Sequence, residues 1–248
     1  MSESNVMILE AKNISKNYGD ICVLKNVELK VHAGEVVALL GPNGAGKTTF
    51  FYIISGLVHA NSGTITLNNT DITAWPVYNR AKIGLGYLPQ EASIFRGLNV
   101  EDNIFAICEM IEPNHQKALE KTDSLLKEFS IDHLRKSKAT ALSGGERRRL
   151  EIARALATNP KFLLLDEPFA GVDPVAVKDI RHLIGHLTQR GLGIIITDHN
   201  VRETLDIIDR GYILYNGEIL ISGDRETIIN DEQVRKFYLG EDFYYRTS

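Results

Sequence analysis

The sequence predicts an α/β fold with a mostly parallel sheet, a flanking antiparallel β subdomain and an inserted helical subdomain. Three short apolar runs, at 36–40, 162–165 and 193–197, are typical of strands that are covered on both faces. Helical patterns separate these runs along the chain, which favours a parallel sheet. The run 64–67 ends in Asn68-Asn69, and the segment from Tyr212 to Ile221 pivots on Asn216-Gly217, which is a type I′ hairpin signal. Both segments predict antiparallel strands that flank the parallel core.

Helical spacing dominates the middle of the chain. After a candidate N-cap at Asn114, six residues follow a 3.6-residue period and predict one buried helix face: Ala118, Leu119, Thr122, Leu125, Leu126 and Phe129. We therefore predict a helical subdomain at about 91–157, inserted within a single domain that spans residues 1–248.

Composition limits the classes of function. The 248 residues carry a net charge of −4, so there is no overall cationic field for nucleic acid. Cys22 and Cys108 lack metal or redox spacing, as expected in a reducing cytosol. The first residues lack a secretory pattern, and no apolar run reaches the roughly 18–20 residues of a membrane span. We expect a cytoplasmic protein that does not cross a bilayer by itself.

A glycine-rich loop provides the strongest local signal. The segment Gly41-Pro42-Asn43-Gly44-Ala45-Gly46-Lys47-Thr48 matches G-x-x-x-x-G-K-[ST] between a predicted strand and a helix predicted from Lys47 to Leu57. Its backbone N–H groups can surround phosphate oxygens, and Lys47 adds a positive charge at the β and γ phosphates. Thr48 offers a hydroxyl to Mg²⁺, and Thr49 is placed to help hold the phosphates. The motif alone is shared with kinases and GTPases.

Two carboxylates follow the second apolar run. Asp166 ends this strand and is predicted to hold Mg²⁺, directly or through water. Glu167 comes next and is predicted to act as the general base that activates water, a role that typically contributes roughly 10²–10⁴-fold in rate. The alternative for Glu167 is a solvated side chain at a strand end, which the surrounding Leu-Leu-Leu-Asp-Glu-Pro pattern disfavours.

A second anion-binding motif lies far along the chain from the first. In Leu142-Ser143-Gly144-Gly145-Glu146, the Ser143 side chain and the N–H groups of Gly144 and Gly145 precede a basic helical run. This is the signature of the ATP-binding-cassette (ABC) family, which the chain resembles from about Leu9 to Gly240. The resemblance implies a P-loop NTPase (RecA-like) core, ATP hydrolysis with Mg²⁺, and a head-to-tail homodimer. In such a dimer each signature covers the ATP on the partner's phosphate loop.

The same resemblance assigns roles to residues that would mean little alone. Tyr18 matches the aromatic that stacks on adenine, although an isolated tyrosine is more often structural. Gln90 matches the glutamine that senses Mg²⁺ and water, and is therefore expected both as a metal contact and as a catalytic residue. Gly171-Val172-Asp173 matches a loop that meets the partner subunit. His199 matches the histidine that contacts the γ-phosphate, again only because the other motifs are present.

Further segments narrow the resemblance within the family. The stretches 87–104, 142–149, 198–205 and 234–243 closely resemble ATP-binding subunits of lipopolysaccharide export systems in Gram-negative bacteria. ATPases of branched-chain amino-acid importers share several of these features and are the alternative. A soluble ABC ATPase that acts on nucleic acid or ribosomes is disfavoured because the chain is not basic and holds one cassette without a long coiled coil.

The resemblance also implies a motor subunit on the cytoplasmic face of the inner membrane, bound to integral permease subunits. Phe95 and Arg96 are expected to contact that partner, whereas Ile94 and Leu98 could equally pack inside the helical subdomain. Five aromatic residues near the C-terminus are expected either to pack at the dimer end or to lie exposed: Phe237, Tyr238, Phe243, Tyr244 and Tyr245.

Overall fold

Two β-sheets organise the protein in this computed structural model, which describes residues 6–240. The strands are β1 (Ile8–Tyr18), β2 (Ile21–His32), β3 (Val36–Leu40), β4 (Ser62–Leu67), β5 (Thr70–Asp71), β6 (Leu85–Leu88), β7 (Phe162–Asp166), β8 (Gly193–Thr197), β9 (Arg210–Tyr215) and β10 (Glu218–Gly223). A four-stranded antiparallel sheet has the order β2-β1-β4-β5, and a six-stranded sheet has the order β10-β9-β3-β8-β7-β6.

The six-stranded sheet is parallel except at one edge. Strands β3, β6, β7, β8 and β9 pair in parallel, and β10 is antiparallel to β9. Every residue of β3, β7 and β8 is buried, which explains why these strands are apolar without alternation. The predicted α/β class with a mostly parallel sheet is confirmed.

Both segments predicted as antiparallel strands form hairpins with two-residue turns of positive φ. Asn68 and Asn69 have φ of 48° and 68°, and Asn216 and Gly217 have φ of 48° and 80°, as type I′ turns require. The first hairpin joins β4 to β5 in the flanking antiparallel sheet. The second was predicted to flank the core too, and this was wrong: β9 pairs in parallel with β3, so the hairpin extends the main sheet.

The helices are α1 (Lys47–Ser55), α2 (Val77–Lys82), α3 (Val100–Ile111), α4 (His115–Glu128), α5 (Gly144–Leu156), α6 (Pro174–Gln189), α7 (Val201–Leu205), α8 (Arg225–Asn230) and α9 (Glu232–Val234). Short 3₁₀ turns lie at Asp132–Leu134 and Ala139–Ala141, and a π-helical turn at Arg235–Leu239. Helix α1 ends two residues before the predicted Leu57 because Gly56 adopts φ 86° and caps it.

Helices α3, α4 and α5 occupy the stretch predicted to be helical. Asn114 caps α4, and its side chain accepts a hydrogen bond from the Lys117 N–H at 2.9 Å. Five members of the predicted α4 stripe are buried, but Leu119 is 41% exposed. Leu119 lies at the edge of the stripe, about 100° around the helix from Ala118, and this edge faces solvent.

Apolar clusters cover both faces of the main sheet. One cluster packs α3 to α6 under residues such as Leu163, Leu165 and Ile194. The other packs α1 and the antiparallel sheet over alternating residues such as Leu164 and Ile195. The loops after β3, β7 and β8 therefore leave the same carboxyl edge of a rigid sheet, where ligands of open α/β sheets bind.

In the C-terminal tail, Phe237 stacks on Tyr215 with ring centroids 4.9 Å apart, and Tyr238 packs against a third small cluster. Phe243, Tyr244 and Tyr245 lie outside the described residues.

Candidate functional site

The glycine-rich loop is held closely against its neighbours. Gly41 has φ 148°, and a Cβ there would lie 2.0 Å from the carbonyl oxygen of Leu214. Gly46 has φ 109°, and its Cβ would lie 2.7 Å from Leu24 Cδ2. Both positions therefore require glycine. The loop ends at the N-terminus of α1, where Gly46 leaves the first N–H groups without a capping side chain.

The side chain of Lys47 lies along this loop. Its Nζ donates to the carbonyl oxygens of Gly41 at 2.7 Å and Pro42 at 3.0 Å. Burial lowers the pKa of Lys47, and the carboxylates of Glu167 and Asp166 oppose that shift. The ammonium group of Lys47 therefore interacts electrostatically with both carboxylates.

The remaining loop positions differ in exposure. Ala45 is buried, and Pro42 and Thr49 are partly buried. Asn43, Gly44 and Thr48 are exposed, so the Thr48 hydroxyl in the first turn of α1 is accessible from solvent.

Asp166 is buried at the end of β7, with 5% of its surface exposed. Its Oδ2 accepts a hydrogen bond from the Tyr87 hydroxyl at 3.1 Å. Burial raises the pKa of Asp166, with a further increase from Glu167, while the Tyr87 hydroxyl opposes it. Burial and Asp166 together also raise the pKa of Tyr87, which keeps its proton and remains a donor.

Glu167 and His199 are brought together from two strand ends. Nδ1 of His199 lies 3.2 Å from Oε2 of Glu167. Glu167 has φ 46°, a left-handed conformation that is uncommon for a non-glycine residue, and its N–H donates to the Thr197 carbonyl at 2.7 Å. The left-handed residue turns the side chain out of the strand direction of β7, and the backbone bond holds it beside β8.

Asp198 connects the segments that carry Glu167 and His199. It is fully buried and accepts hydrogen bonds from the N–H groups of Phe169 at 2.9 Å and Asn200 at 2.7 Å. Burial raises the pKa of Asp198, and these two N–H groups oppose the shift. Asp198 therefore ties the loop that follows Glu167 to the turn that carries His199.

Gln90 lies exposed, two residues after β6. It lines a cleft of about 260 Å³ together with Glu167, Gly144, Gly171 and Val172. The structure thus places the predicted glutamine, the predicted base and the loop at Gly171 around one opening.

Ser143 begins helix α5 with a capping box. The side chain of Glu146 accepts from the Ser143 N–H at 2.9 Å and from the Ser143 hydroxyl at 2.7 Å, and these bonds lower the pKa of Glu146. Ser143, Gly145 and Asp173 line a separate opening of about 320 Å³. No described residue of 41–49 lines this opening or the one at Gln90.

Tyr18 belongs to the flanking antiparallel sheet, not to the six-stranded sheet. It ends β1 with 48% of its surface exposed, and the Lys16 ammonium lies 5.0 Å from its ring centroid. Val23 and Leu24 of β2, the strand that follows β1, lie beside Gly46 of the phosphate loop.

The predicted docking segment is held by hydrogen bonds to α3. Phe95 is 42% exposed, its N–H donates to Asn103 Oδ1 at 2.7 Å, and the Arg154 guanidinium lies 4.2 Å from its ring centroid. Arg96 is exposed. Ile94, for which docking and packing were both open, is only 8% exposed and packs inside, and Leu98 is partly buried.

Sequence reasoning missed a buried ionic network that attaches this segment to α5. Arg148 and Glu151 pair at 3.0 Å with side chains 7% and 4% exposed. Glu151 also accepts from the Ser93 N–H at 3.1 Å, and Arg148 donates to the Pro89 carbonyl at 3.4 Å. The i,i+3 spacing of Arg148 and Glu151 was the available signal.

No helix within residues 6–240 is long and apolar enough to cross a membrane.

Comparisons with known proteins place the chain. Residues 24–170 match the model of the ABC transporter family. The chain belongs to the ABC transporter family. A probable ABC transporter ATP-binding protein of Azorhizobium caulinodans is 60% identical over 95% of this chain and 84% of its own length. The lipopolysaccharide export system ATP-binding protein LptB of Haemophilus influenzae is 55% identical over 95% of this chain and 98% of its own length.

Solved structures agree with this placement. An ATP-binding cassette of an ABC transporter in its ADP conformation has a TM-score of 0.84 and 31% identity, covering 94% of this chain and 99% of its own. A dimeric cassette bound to ADP and Pi has a TM-score of 0.77 and 25% identity, covering 88% and 98%. This ABC protein is therefore an ATP-binding subunit and an ATPase whose hydrolysis is coupled to transport.

Proposed function

We propose that this ABC ATPase drives lipopolysaccharide export from the inner membrane as a homodimer attached to integral permease subunits. The 55% identity to the export protein of Haemophilus influenzae, over nearly the full length of both chains, supports this substrate class. The net charge of −4 supports a protein partner rather than nucleic acid. We place the subunit on the cytoplasmic face of the membrane, in contact with the bilayer only through its partners.

The observation that carries the catalytic proposal is the contact of His199 with Glu167 beside Lys47 and Asp166. In the proposal, residues 41–49 hold the phosphates of ATP through the loop N–H groups, the α1 N-terminus and Lys47. Tyr18 stacks on the adenine from its exposed position. Glu167 accepts a proton from the attacking water, and His199 orients Glu167 and contacts the γ-phosphate.

The residues at the site fit a magnesium ion. Thr48, Asp166 and Gln90 offer oxygen donors, which Mg²⁺ prefers. No group of three or more His, Cys, Asp or Glu in the described part of the chain could hold a metal, but magnesium bound with a nucleotide takes only one or two protein carboxylates. When bound, it neutralises charge that develops on the phosphate oxygens.

The separation of the two anion-binding motifs supports a head-to-tail dimer. Ser143, Gly144 and Gly145 line openings that residues 41–49 do not line. Glu146 occupies the Ser143 N–H, so we assign the N–H groups of Gly144 and Gly145 to the ATP held by a second copy. ATP then stabilises the closed dimer because it makes contacts that only the closed state allows.

The segment after Gln90 is the proposed route to the membrane partner. Phe95 and Arg96 are exposed at the surface. The Phe95 N–H donates to Asn103 of α3, and the Ser93 N–H, two residues earlier, donates to Glu151 of α5. Closure that moves α5 toward the partner's ATP therefore moves the docking surface with it.

The test is the substitution Glu167→Gln, with Lys47→Ala as the matched control. Glu167→Gln keeps the size of the side chain but removes the base, so steady-state ATP hydrolysis should fall by roughly 10²-fold or more while ATP-dependent dimers accumulate. Lys47→Ala should lose both hydrolysis and dimers because phosphate binding is lost. Near-normal turnover by Glu167→Gln in purified protein would contradict the role of Glu167.

A further inference from the structure

Tyr87 lies at the junction of the metal site and the docking segment. It belongs to β6, where it pairs with Leu164 of β7, and it precedes Gln90 by three residues. Its ring packs edge-on against Tyr52 of α1, with centroids 6.3 Å apart and planes at 87°. The ring is thus held between β6 and the helix that carries the phosphate loop.

The hydroxyl of Tyr87 reaches across the sheet to the strand end of β7. It donates to Oδ2 of Asp166 at 3.1 Å. Asp166 is a nearly buried carboxylate, and no hydrogen bond to its other oxygen, Oδ1, is found among residues 6–240. A buried carboxylate held by one bond has one oxygen fixed and one available.

We propose that Tyr87 is a positioning residue for magnesium, holding Oδ2 of Asp166 so that Oδ1 is presented to the ion or its water. The inference rests on the metal role proposed for Asp166. A phenylalanine would fill the same space between α1 and β6 but could not donate the hydrogen bond. The hydroxyl is therefore the part of the side chain that this role requires.

Hydrogen bonds to ligating carboxylates fix their orientation, and removing such a partner typically weakens metal affinity by about 10–100-fold. Tyr87 makes no contact that would place it on the phosphates in the described structure, so nucleotide binding without metal should not depend on its hydroxyl. Affinity for the metal and affinity for the nucleotide without metal can thus be measured separately.

The experiment compares nucleotide binding in Mg²⁺ and in EDTA. Affinity for a fluorescent ATP analogue is measured in both conditions, and the Mg²⁺ concentration at half-saturation is taken from a titration. Tyr87→Phe should raise that concentration about 10-fold or more and leave the EDTA affinity within about twofold of wild type. Thermal unfolding in EDTA should stay close to wild type, because the ring is retained.

Two variants serve as references. Tyr212→Phe removes a buried hydroxyl that accepts from the Arg210 guanidinium at 2.6 Å on β9, away from Asp166, and should leave the Mg²⁺ titration unchanged. Asp166→Asn should abolish the dependence on Mg²⁺.

The results distinguish the positioning role of Tyr87 from the metal role of Asp166. A wild-type Mg²⁺ titration in Tyr87→Phe, or equal weakening in Mg²⁺ and EDTA, would overturn the positioning role while Asp166 keeps its own. If Asp166→Asn retains the wild-type dependence on Mg²⁺, the metal role of Asp166 fails and the inference fails with it.

Discussion

Arg80 gives the most quantitative prediction, because it is a fully buried cation that donates only to backbone carbonyls. Its surface is 1% exposed. Nη1 donates to the carbonyl oxygens of Ile53 at 2.7 Å and Ile54 at 2.6 Å, which lie in the last turn of α1. The other two bonds reach Thr73 at 2.8 Å and Trp75 at 2.9 Å. One side chain thus caps the helix of the phosphate loop and fixes the turn before α2.

The substitution Arg80→Met removes all four hydrogen bonds while filling much of the space. Four lost hydrogen bonds at about 1 kcal/mol each cost about 4 kcal/mol. Burial lowers the pKa of Arg80 to about 10 because desolvation disfavours the charged form. This desolvation offsets part of the stabilisation that the four hydrogen bonds provide. We therefore expect a loss of about 3 kcal/mol in the free energy of unfolding. At about 2–4 °C per kcal/mol for a chain of this size, the Tm should fall by roughly 6–12 °C.

The assay is urea unfolding followed by circular dichroism and by fluorescence of Trp75, the single tryptophan, whose own carbonyl is one of the acceptors. The matched control is Lys82→Met on the exposed side of the same helix, which should change stability by less than about 0.5 kcal/mol. If Arg80→Met costs less than about 1 kcal/mol, then Arg80 does not stabilise the end of α1 as the geometry implies.

Two further predictions concern the docking surface and pH. Phe95→Ala should weaken association with the membrane subunits by about 30-fold, equivalent to the roughly 2 kcal/mol of an aromatic anchor, and Arg96→Glu should weaken it too. Neither variant should change nucleotide affinity. The control in the same co-purification is Met110→Ala, at an 83% exposed site. Burial raises the pKa of Glu35, but bonds from His32 and Arg210 outweigh it and hold the pKa below 4.5. The stability from Glu35 is thus present above about pH 4.5 and lost as pH falls through the lowered pKa. Urea unfolding should therefore show Glu35→Gln less stable than wild type at pH 7, with the difference closing as pH falls below about 4.5.

Local patterns predicted much of the fold. The buried strands, the Asn114 cap and both hairpin turns depend on neighbouring residues, so periodicity and turn chemistry were enough. The sheet to which the second hairpin belongs was not predictable in this way, because β9 pairs with a strand more than 170 residues earlier in the chain. The exposure of Leu119 likewise depends on how wide a face the rest of the fold covers.

The residues of the candidate site also fall into two groups, those that local motifs predicted and those that only the structure revealed. Motifs named the residues that carry charge and hydroxyl groups, and the structure brings Glu167 and His199 into contact. Tyr87 and Arg80 escaped notice because their acceptors lie elsewhere in the sequence: Asp166 is 79 residues from Tyr87, and Ile53 is 27 residues from Arg80. Nothing in the local pattern of either residue indicates such a partner.

If this ATPase drives a lipopolysaccharide exporter, as proposed, the membrane proteins bound to it will be those of that exporter. A tagged chain would be purified from detergent-solubilised inner membranes of its own cells, and the integral proteins that accompany it identified by mass spectrometry. We expect the membrane subunits of the lipopolysaccharide export system, with much less recovered by the Phe95→Ala variant. Recovery of the permease subunits of an amino-acid importer instead would contradict it.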